Sequence, residues 1–472
     1  MAHSMTKRKR SLLIQLNIIW LALLCPSCQD FLDIDPPVSE AVRETVFADD
    51  QSATAAIVGI YSAMVDGNSF SFANFYTGYY GALSADEMKL LGAGNPQASQ
   101  FENNALTSAN PDVLSFWESG YRFIWYANSA IEGLSQSVGV SQPVKIQLLG
   151  EARFIRAFCH FYLTGLFGDI PYITLTDYRV NAMASKIAQA DVYNKIVEDL
   201  LEAQNSLPTE YITSGRVRPN RAAVTAFLAR VYLYTGNWLN AEAAATQVID
   251  DPKYELEDDL NNVFLATSKE AVWQLMPVNA GANTTDGQKY IGEGTAGGLS
   301  LTDELLDSFE AGDKRYANWI ASWTNSNATL TTYYPFKYKV SALNKPVTEY
   351  SMVFRLAEQF LIRAEARAQN NNLTGPNSAK SDLNEIRSRA GLNNTTAATQ
   401  AEFLDAILQE RRVEFFTEWG HRWFDLKRMN QADLVLGTLK PDWQSTDVLY
   451  PIPRTELQIN KNLLPQNPGY NN

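Results

Sequence analysis

Histidine and cysteine are almost absent, with three of each in 472 residues. His3 sits at the very start, leaving His160 and His421. No His-x-x-x-His pair and no cysteine cluster is present, so the common zinc signatures are missing. A Ser-His-Asp triad would have to recruit His160 or His421. Both lie in helix-like stretches, and no Gly-x-Ser-x-Gly elbow accompanies them. A glycine-rich phosphate loop ending in Lys-Ser or Lys-Thr is also lacking. The glycine-rich IGEGTAGG, Ile291 to Gly298, lacks the flanking strand and helix of a dinucleotide site. Positive charge is short as well: 39 Lys and Arg against 52 Asp and Glu, a net −13. Binding a phosphate backbone needs clustered Lys and Arg, so nucleic acid is excluded as a partner. No cofactor, no metal and no catalytic residue is expected.

An apolar run near the N-terminus stands out, SLLIQLNIIWLALL, Ser11 to Leu24. It is too short to span a bilayer, which needs about 20 residues. The basic cluster Lys7-Arg8-Lys9-Arg10 precedes it and small residues end it, the layout of a secretory signal peptide. LLCPSCQDFLD follows, with Cys25 and Cys28 spaced as in a redox motif. A redox Cys-x-x-Cys belongs between a strand and a helix of a folded domain; this one ends a signal. Lipoprotein processing acylates a cysteine and cuts before it, after a small residue. Ser27 precedes Cys28, whereas the large Leu24 precedes Cys25. Residues 1–27 are therefore read as a lipoprotein signal and Cys28 as the lipidation site. Two or three acyl chains anchor firmly, each buried CH₂ contributing about 0.8 kcal/mol. Removing the four basic residues of that signal takes the charge from −13 to −17. Cys159 then stands alone, so no internal disulfide framework is possible.

After Cys28 comes a short tether, QDFLDIDPP, whose end Pro36-Pro37 marks, and residues 28–45 are read as the lipid-anchored stretch before the domain. From Val46 onward the apolar spacing is helical. Ala53, Ala56, Ile57, Ile60 and Tyr61 form one face. Leu114, Trp117, Tyr121, Ile124 and Trp125 form another, as do Ala152, Ile155, Phe158, Cys159, Tyr162 and Leu166. Gly168-Asp169 with Pro171 closes that last helix. Val192 to Leu207 is amphipathic and stops at Pro208. Leu228, Ala229, Tyr232, Gly236, Trp238 and Ala241 fit the 34-residue tetratricopeptide pattern in order, with Pro252 near its closing proline. FRLAEQFLIRAEARAQ and SDLNEIRSRAGL read as a further pair with a lengthened turn. Antiparallel helix pairs stacked side by side follow. Residues of about 255–350 break the rhythm; rich in Gly, Thr, Asn and aromatics, they predict short strands and loops rather than long helices. Aromatic residues make up 11% of the chain, more than a helical core needs.

These segments resemble the SusD/RagB family of outer-membrane nutrient-binding lipoproteins of Bacteroidetes, nearly end to end. The likeness rests on CQDFLD, GEARFIRAFCHFYLTGLFGDIPY, RPNRAAVTAFLARVYLYTGNW, FRLAEQFLIRAEARAQ, LNEIRSRAGL, ILQERRVEFFTEWGHRWFDLKR and LYPIPRTELQINKNLLPQNPGY, in that order. Cys159-His160 and Glu418-Trp419 depart from the commoner residues and read as core variation. The resemblance implies a mostly α fold, four tetratricopeptide-like helix pairs carrying an irregular insert, as one domain over 46–472. It implies an outward-facing, lipid-anchored position on the outer membrane. It implies a SusC-like TonB-dependent transporter as partner, with this chain as a lid that passes oligosaccharide inward.

In the family the glycan site draws on loops after the first helix and on the insert, here Phe72 to Glu87 and Tyr290 to Tyr338. Tyr79, Tyr80, Asp86, Trp319, Trp323 and Tyr333 are the candidates, rings for stacking on sugar C–H faces and a carboxylate for hydroxyls. Asp86-Glu87 is read as sugar-contacting or structural rather than as a glycosidase pair. The charged ILQERRVEFFTEWGHRWFDLKR is read as a helix–turn–helix held by ion pairs, with Trp423 and Phe424 in the core, because structural networks crowd charges too. Three competing functions remain: a peptide-binding RagB-type member, favoured by charged loops; a surface glycoside hydrolase; and an assembly scaffold with exposed aromatics in its helix grooves.

Overall fold

The computed structural model describes residues 43–66, 70–92 and 94–471. The signal, Cys28 and most of the tether lie outside the described residues. Helix dominates and strands are few and short.

The long helices run where the apolar spacing places them: α1 Asp50–Met64, α2 Thr77–Ser84, α3 Pro111–Gln136, α4 Gln142–Phe167, α5 Gln189–Ser206, α6 Arg221–Tyr234 and α7 Trp238–Ile249. Local chemistry sets their ends. Asp49 accepts the Ser52 N–H and opens α1; Asn110 caps α3 ahead of Pro111 at its first position. Gly168, at φ +75°, stops α4. From α3 onward these helices pack each on the next in sequence, α3 on α4, α4 on α5, α5 on α6 and α6 on α7. From Phe154 to Phe167 every residue of α4 is buried. That half of the helix is walled on every side, and its polar side chains are paired there, Arg156 with Asp199 at 2.8 Å and His160 with the Arg156 carbonyl. Gly120 lets α3 approach it, since a Cβ there would sit 2.8 Å from Leu163. In the tetratricopeptide match, Gly236 turns the chain between α6 and α7 at φ +69°, and Leu228, Ala229 and Ala241 are buried.

The insert is closed at its base by a ladder. Strand β2, Ala271–Leu275, pairs antiparallel with β6, Ser351–Arg355, and β6 runs straight into helix α9, Leu356–Gln369. Between them lie helix α8, Thr285–Ala296, and strands β3 Leu299–Leu301, β4 Ile320–Thr324 and β5 Thr331–Pro335; β1, Met88–Leu90, comes from the N-terminal excursion. Short strands are thus present as expected. The 12-residue α8 over TDGQKYIGEGTA is not expected from its glycines. Thr284 caps it at the Gly287 N–H, and tertiary packing on β5 overrides propensity.

Helices α10 Ala379–Arg389, α11 Gln400–Phe415 and α12 His421–Arg428 complete the scaffold, followed by α13, Arg454–Ile459. Buried ion pairs clamp these pieces together. Arg230 grips Glu358 at 2.6 and 2.7 Å, and Arg411 meets Asp425 at 2.7 Å. Glu414 is held by Arg315, Arg355 and Arg389 from three separate segments, and that surrounding charge holds its carboxyl well below the ordinary value despite burial. The charged stretch of α11 and α12 is therefore a clamp, with Trp423 and Phe424 buried beneath it.

Candidate functional site

The fold brings the two loop stretches together. Phe75 meets Tyr290 of α8 edge to face, with centroids 4.9 Å apart. Strand β1 pairs with β3. Ser300 then joins that ladder to the hairpin of β4 and β5: its Oγ accepts the Tyr333 N–H at 3.0 Å and donates to the Tyr333 carbonyl at 3.3 Å. Thr332 Oγ1 donates to the Gly294 carbonyl at 2.8 Å, which fastens α8 behind β5. A small β face results, in the order β1, β3, β5, β4, backed by a helix.

Strand register decides which side chains look outward. Trp323 is paired with Thr332, and Ser322 with Tyr333. Directly paired residues share a face and neighbours alternate. Trp323, Ala321, Thr332 and Tyr334 therefore face α8. Ser322, Thr324, Thr331 and Tyr333 face solvent. Tyr316 lies beside this outer face, 39% exposed, with Phe309 edge-on to its ring at 5.6 Å. Burial, then the nearby Tyr333 and Asp307, push its phenol up. The outer face thus offers two phenols and a row of hydroxyls, a lining suited to a polyhydroxylated ligand.

Of the six expected contact residues, four belong to the framework, and burial is the reason. Trp319 has no exposed surface; its indole N–H donates to the Leu260 carbonyl at 2.9 Å, and the Lys337 ammonium lies 5.0 Å from its ring. Tyr80 is buried and donates to Asp112 at 2.6 Å. Tyr79 stacks on Phe75 at 4.9 Å and is buried as well. Asp86 is clasped by Arg412 at 2.8 Å and by Arg422 at 2.8 and 2.9 Å, and these cations hold its carboxyl below the ordinary value against the pull of burial. A ring or carboxylate so enclosed has no face for a sugar. Trp323 and Tyr333 are half-buried and reach the surface, but on opposite faces of the hairpin, so one sugar ring cannot touch both from one side. Tyr316, Ser322 and Thr331 are not among those six; Ser322 and Thr331 lie in the alternating IASWT and TTYYP, whose outward phase is set only by the strand pairing.

Several other buried titratable groups are tied into the framework or shifted by burial. Glu87 accepts the Thr417 N–H at 3.2 Å, and burial pushes its carboxyl up to about 8. Burial also raises Asp286 to about 7. Lys337 is lowered to about 8 by burial while donating to the Glu414 and Phe416 carbonyls and to Glu418. His160 has both ring nitrogens on backbone partners, the Arg156 carbonyl and the Ile173 N–H, and burial lowers it to about 3. Among the described residues, no group of three or more His, Cys, Asp or Glu is placed to hold a metal ion.

Stacked helix pairs bearing a β-faced insert define a helical-repeat protein. The SusD family model matches residues 266–470, and a second model, described as starch-binding associating with outer membrane, matches residues 30–233. A SusD-like protein P2 of Formosa agariphila is 28% identical over 97% of this chain and 99% of its own length. The starch-binding protein SusD of Bacteroides thetaiotaomicron is 26% identical over 71% of this chain and 75% of its own. A solved laminarin-binding SusD-like protein superposes with a TM-score of 0.76 at 23% identity, covering 90% of this chain and all of that one. The chain belongs to the SusD/RagB family.

Proposed function

We propose that the protein is a non-enzymatic, cell-surface glycan-binding lipoprotein that captures oligosaccharides and delivers them to a SusC-like TonB-dependent transporter in the outer membrane. The observation that carries this reading is the outer face of the β4–β5 hairpin, where Tyr333, Ser322, Thr324 and Thr331 share one side next to Tyr316. Phenols and hydroxyls suit a neutral saccharide; the four residues that the hairpin turns outward, Ser322, Thr324, Thr331 and Tyr333, are uncharged side chains, with Asp307 near Tyr316 at the edge. The family and its starch- and laminarin-binding relatives support the same class of ligand. Cys28 is the anchor in this reading, and Trp323 supports the hairpin from beneath.

The test pairs binding with anchoring. Tyr333→Ala is expected to weaken oligosaccharide binding by about tenfold, ~1.4 kcal/mol, measured by calorimetry. Mass spectrometry of protein from the native membrane is expected to find an acylated Cys28 at the N-terminus, and the transporter is expected to co-purify. An unacylated chain with Cys25 and Cys28 joined by a disulfide would overturn the anchor. New reducing ends in the binding mixture would make the protein an enzyme.

A further inference from the structure

A second cleft lies away from the hairpin, of about 430 Å³, a size typical of small-ligand sites. One wall is α3, which contributes Trp117, Glu118, Tyr121, Arg122 and Trp125. The opposite walls are the segment around Pro171–Ala182 and the end of α13. Large side chains stand open here: Trp125 is 46% exposed and Tyr178 78%. Such exposure of rings around one concavity is not what a chain does with spare aromatics.

The walls are fixed before any ligand arrives. Tyr121 donates to the Pro171 carbonyl at 2.9 Å, and Asn128 to the Ile173 carbonyl at 3.0 Å. Glu132 accepts from the Thr176 N–H and hydroxyl at 2.8 and 2.6 Å. On the far side, Asn460 donates to the Ala184 carbonyl at 2.8 Å and Asn462 to that of Met183 at 2.7 Å. A preformed site loses little freedom on binding.

The polar groups of the cleft are of mixed sign. Glu118 and Arg122 stand four apart on α3, the order that normally closes an ion pair. Neither makes one among the described residues, and both are exposed. Burial, then the nearby Glu118, raise the Glu456 carboxyl, so the two carboxylates stand close enough to feel each other. Two carboxylates against one guanidinium repel a phosphate or sulfate. The same carboxylates are poor neighbours for a lipid tail. Aromatic walls with scattered hydrogen-bonding groups fit a neutral, polyhydroxylated chain.

We infer that the cleft between α3, the Pro171–Ala182 segment and α13 is a second oligosaccharide site, with Trp125 and Tyr178 as stacking rings and Glu118 and Arg122 as hydroxyl partners. It stands on its own geometry and does not need the hairpin to bind. The test is calorimetry on the full-length chain in detergent, with neutral starch and laminarin oligosaccharides as probes. Wild type is expected to take up two equivalents. The double variant Trp125→Ala, Tyr178→Ala is expected to keep one and to stay folded, since Tyr178 is exposed and Trp125 half-exposed, its indole N–H making only a long bond of 3.4 Å to the Thr176 carbonyl. Glu118→Gln and Arg122→Gln, which leave the walls untouched, are each expected to weaken that same equivalent about tenfold. Tyr333→Ala should weaken only the other, by about tenfold. If the cleft variants leave stoichiometry and affinity unchanged, the inference is wrong. If they abolish co-purification of a membrane partner and leave sugar uptake intact, the cleft is a protein-docking surface and the inference is equally wrong. Loss of the cleft equivalent with no effect of Tyr333→Ala would overturn the hairpin reading and leave this one standing.

Discussion

Trp319 and Tyr333 belong to the same insert and do opposite work. Trp319→Ala should destabilise the fold by about 3–5 kcal/mol, as for other fully buried large aromatics, and leave the affinity of what still folds unchanged; urea unfolding and calorimetry on one preparation separate the two. Tyr333→Ala should show the reverse. Buried carboxyls offer a second residue-level test. Glu87 has a folded-state pKa raised to about 8, above its ordinary value near 4.5, and its Oε1 has no hydrogen-bond partner. The folded protein therefore holds that proton more tightly than the unfolded chain, and stability is lost as pH rises between those values. Glu87→Gln keeps the shape and removes the titration. Its stability relative to wild type should grow from about pH 4.5 to about pH 8, read from urea midpoints. A constant difference would mean that Glu87 does not titrate there.

At the scale of elements, the helices were legible and the faces of the short strands were not. The 3–4 spacing of Ala53, Ile57, Ile60 and Tyr61 is a local signal, and α1 buries those residues. The tetratricopeptide match located the α6–α7 turn because Gly236 is required there by its positive φ. Gly236→Ala should cost about 1 kcal/mol in a denaturant melt, since a Cβ is disfavoured in the left-handed region. Which aromatics of the insert reach solvent depends on which strand pairs with which, a non-local fact. The pairing of Ser322 with Tyr333 turns Tyr333 out and Trp323 in. Trp319 precedes β4 and is buried under Lys337, a contact no spacing reveals. Helix α8 was illegible for a related reason: its stability comes from lying on β5, not from IGEGTA.

Across the whole molecule, charge is divided between a surface excess of acid and an interior network that joins scaffold to insert. Asp86 from the N-terminal excursion meets Arg412 and Arg422 from the C-terminal helices, and Glu414 gathers arginines from the insert, from the end of β6 and from α10. Removing one member leaves uncompensated buried charge. Glu414→Ala should therefore destabilise the protein by about 3–5 kcal/mol and unfold insert and scaffold in one transition, as scanning calorimetry would report. These clamps explain why motifs rich in Glu, Arg and Asp carry the family likeness: their charges join scaffold to insert. The family itself was legible from segment order; the proposed ligand face was not, because its residues are ordinary Tyr, Ser and Thr on two short strands.

The most direct test of the account is a calorimetric titration of the wild-type protein with neutral oligosaccharides and, separately, with peptides, with the same mixtures assayed for new reducing ends. The account predicts saturable saccharide binding, no peptide binding and no new ends. Peptide binding without saccharide binding, or the appearance of new ends, would contradict it.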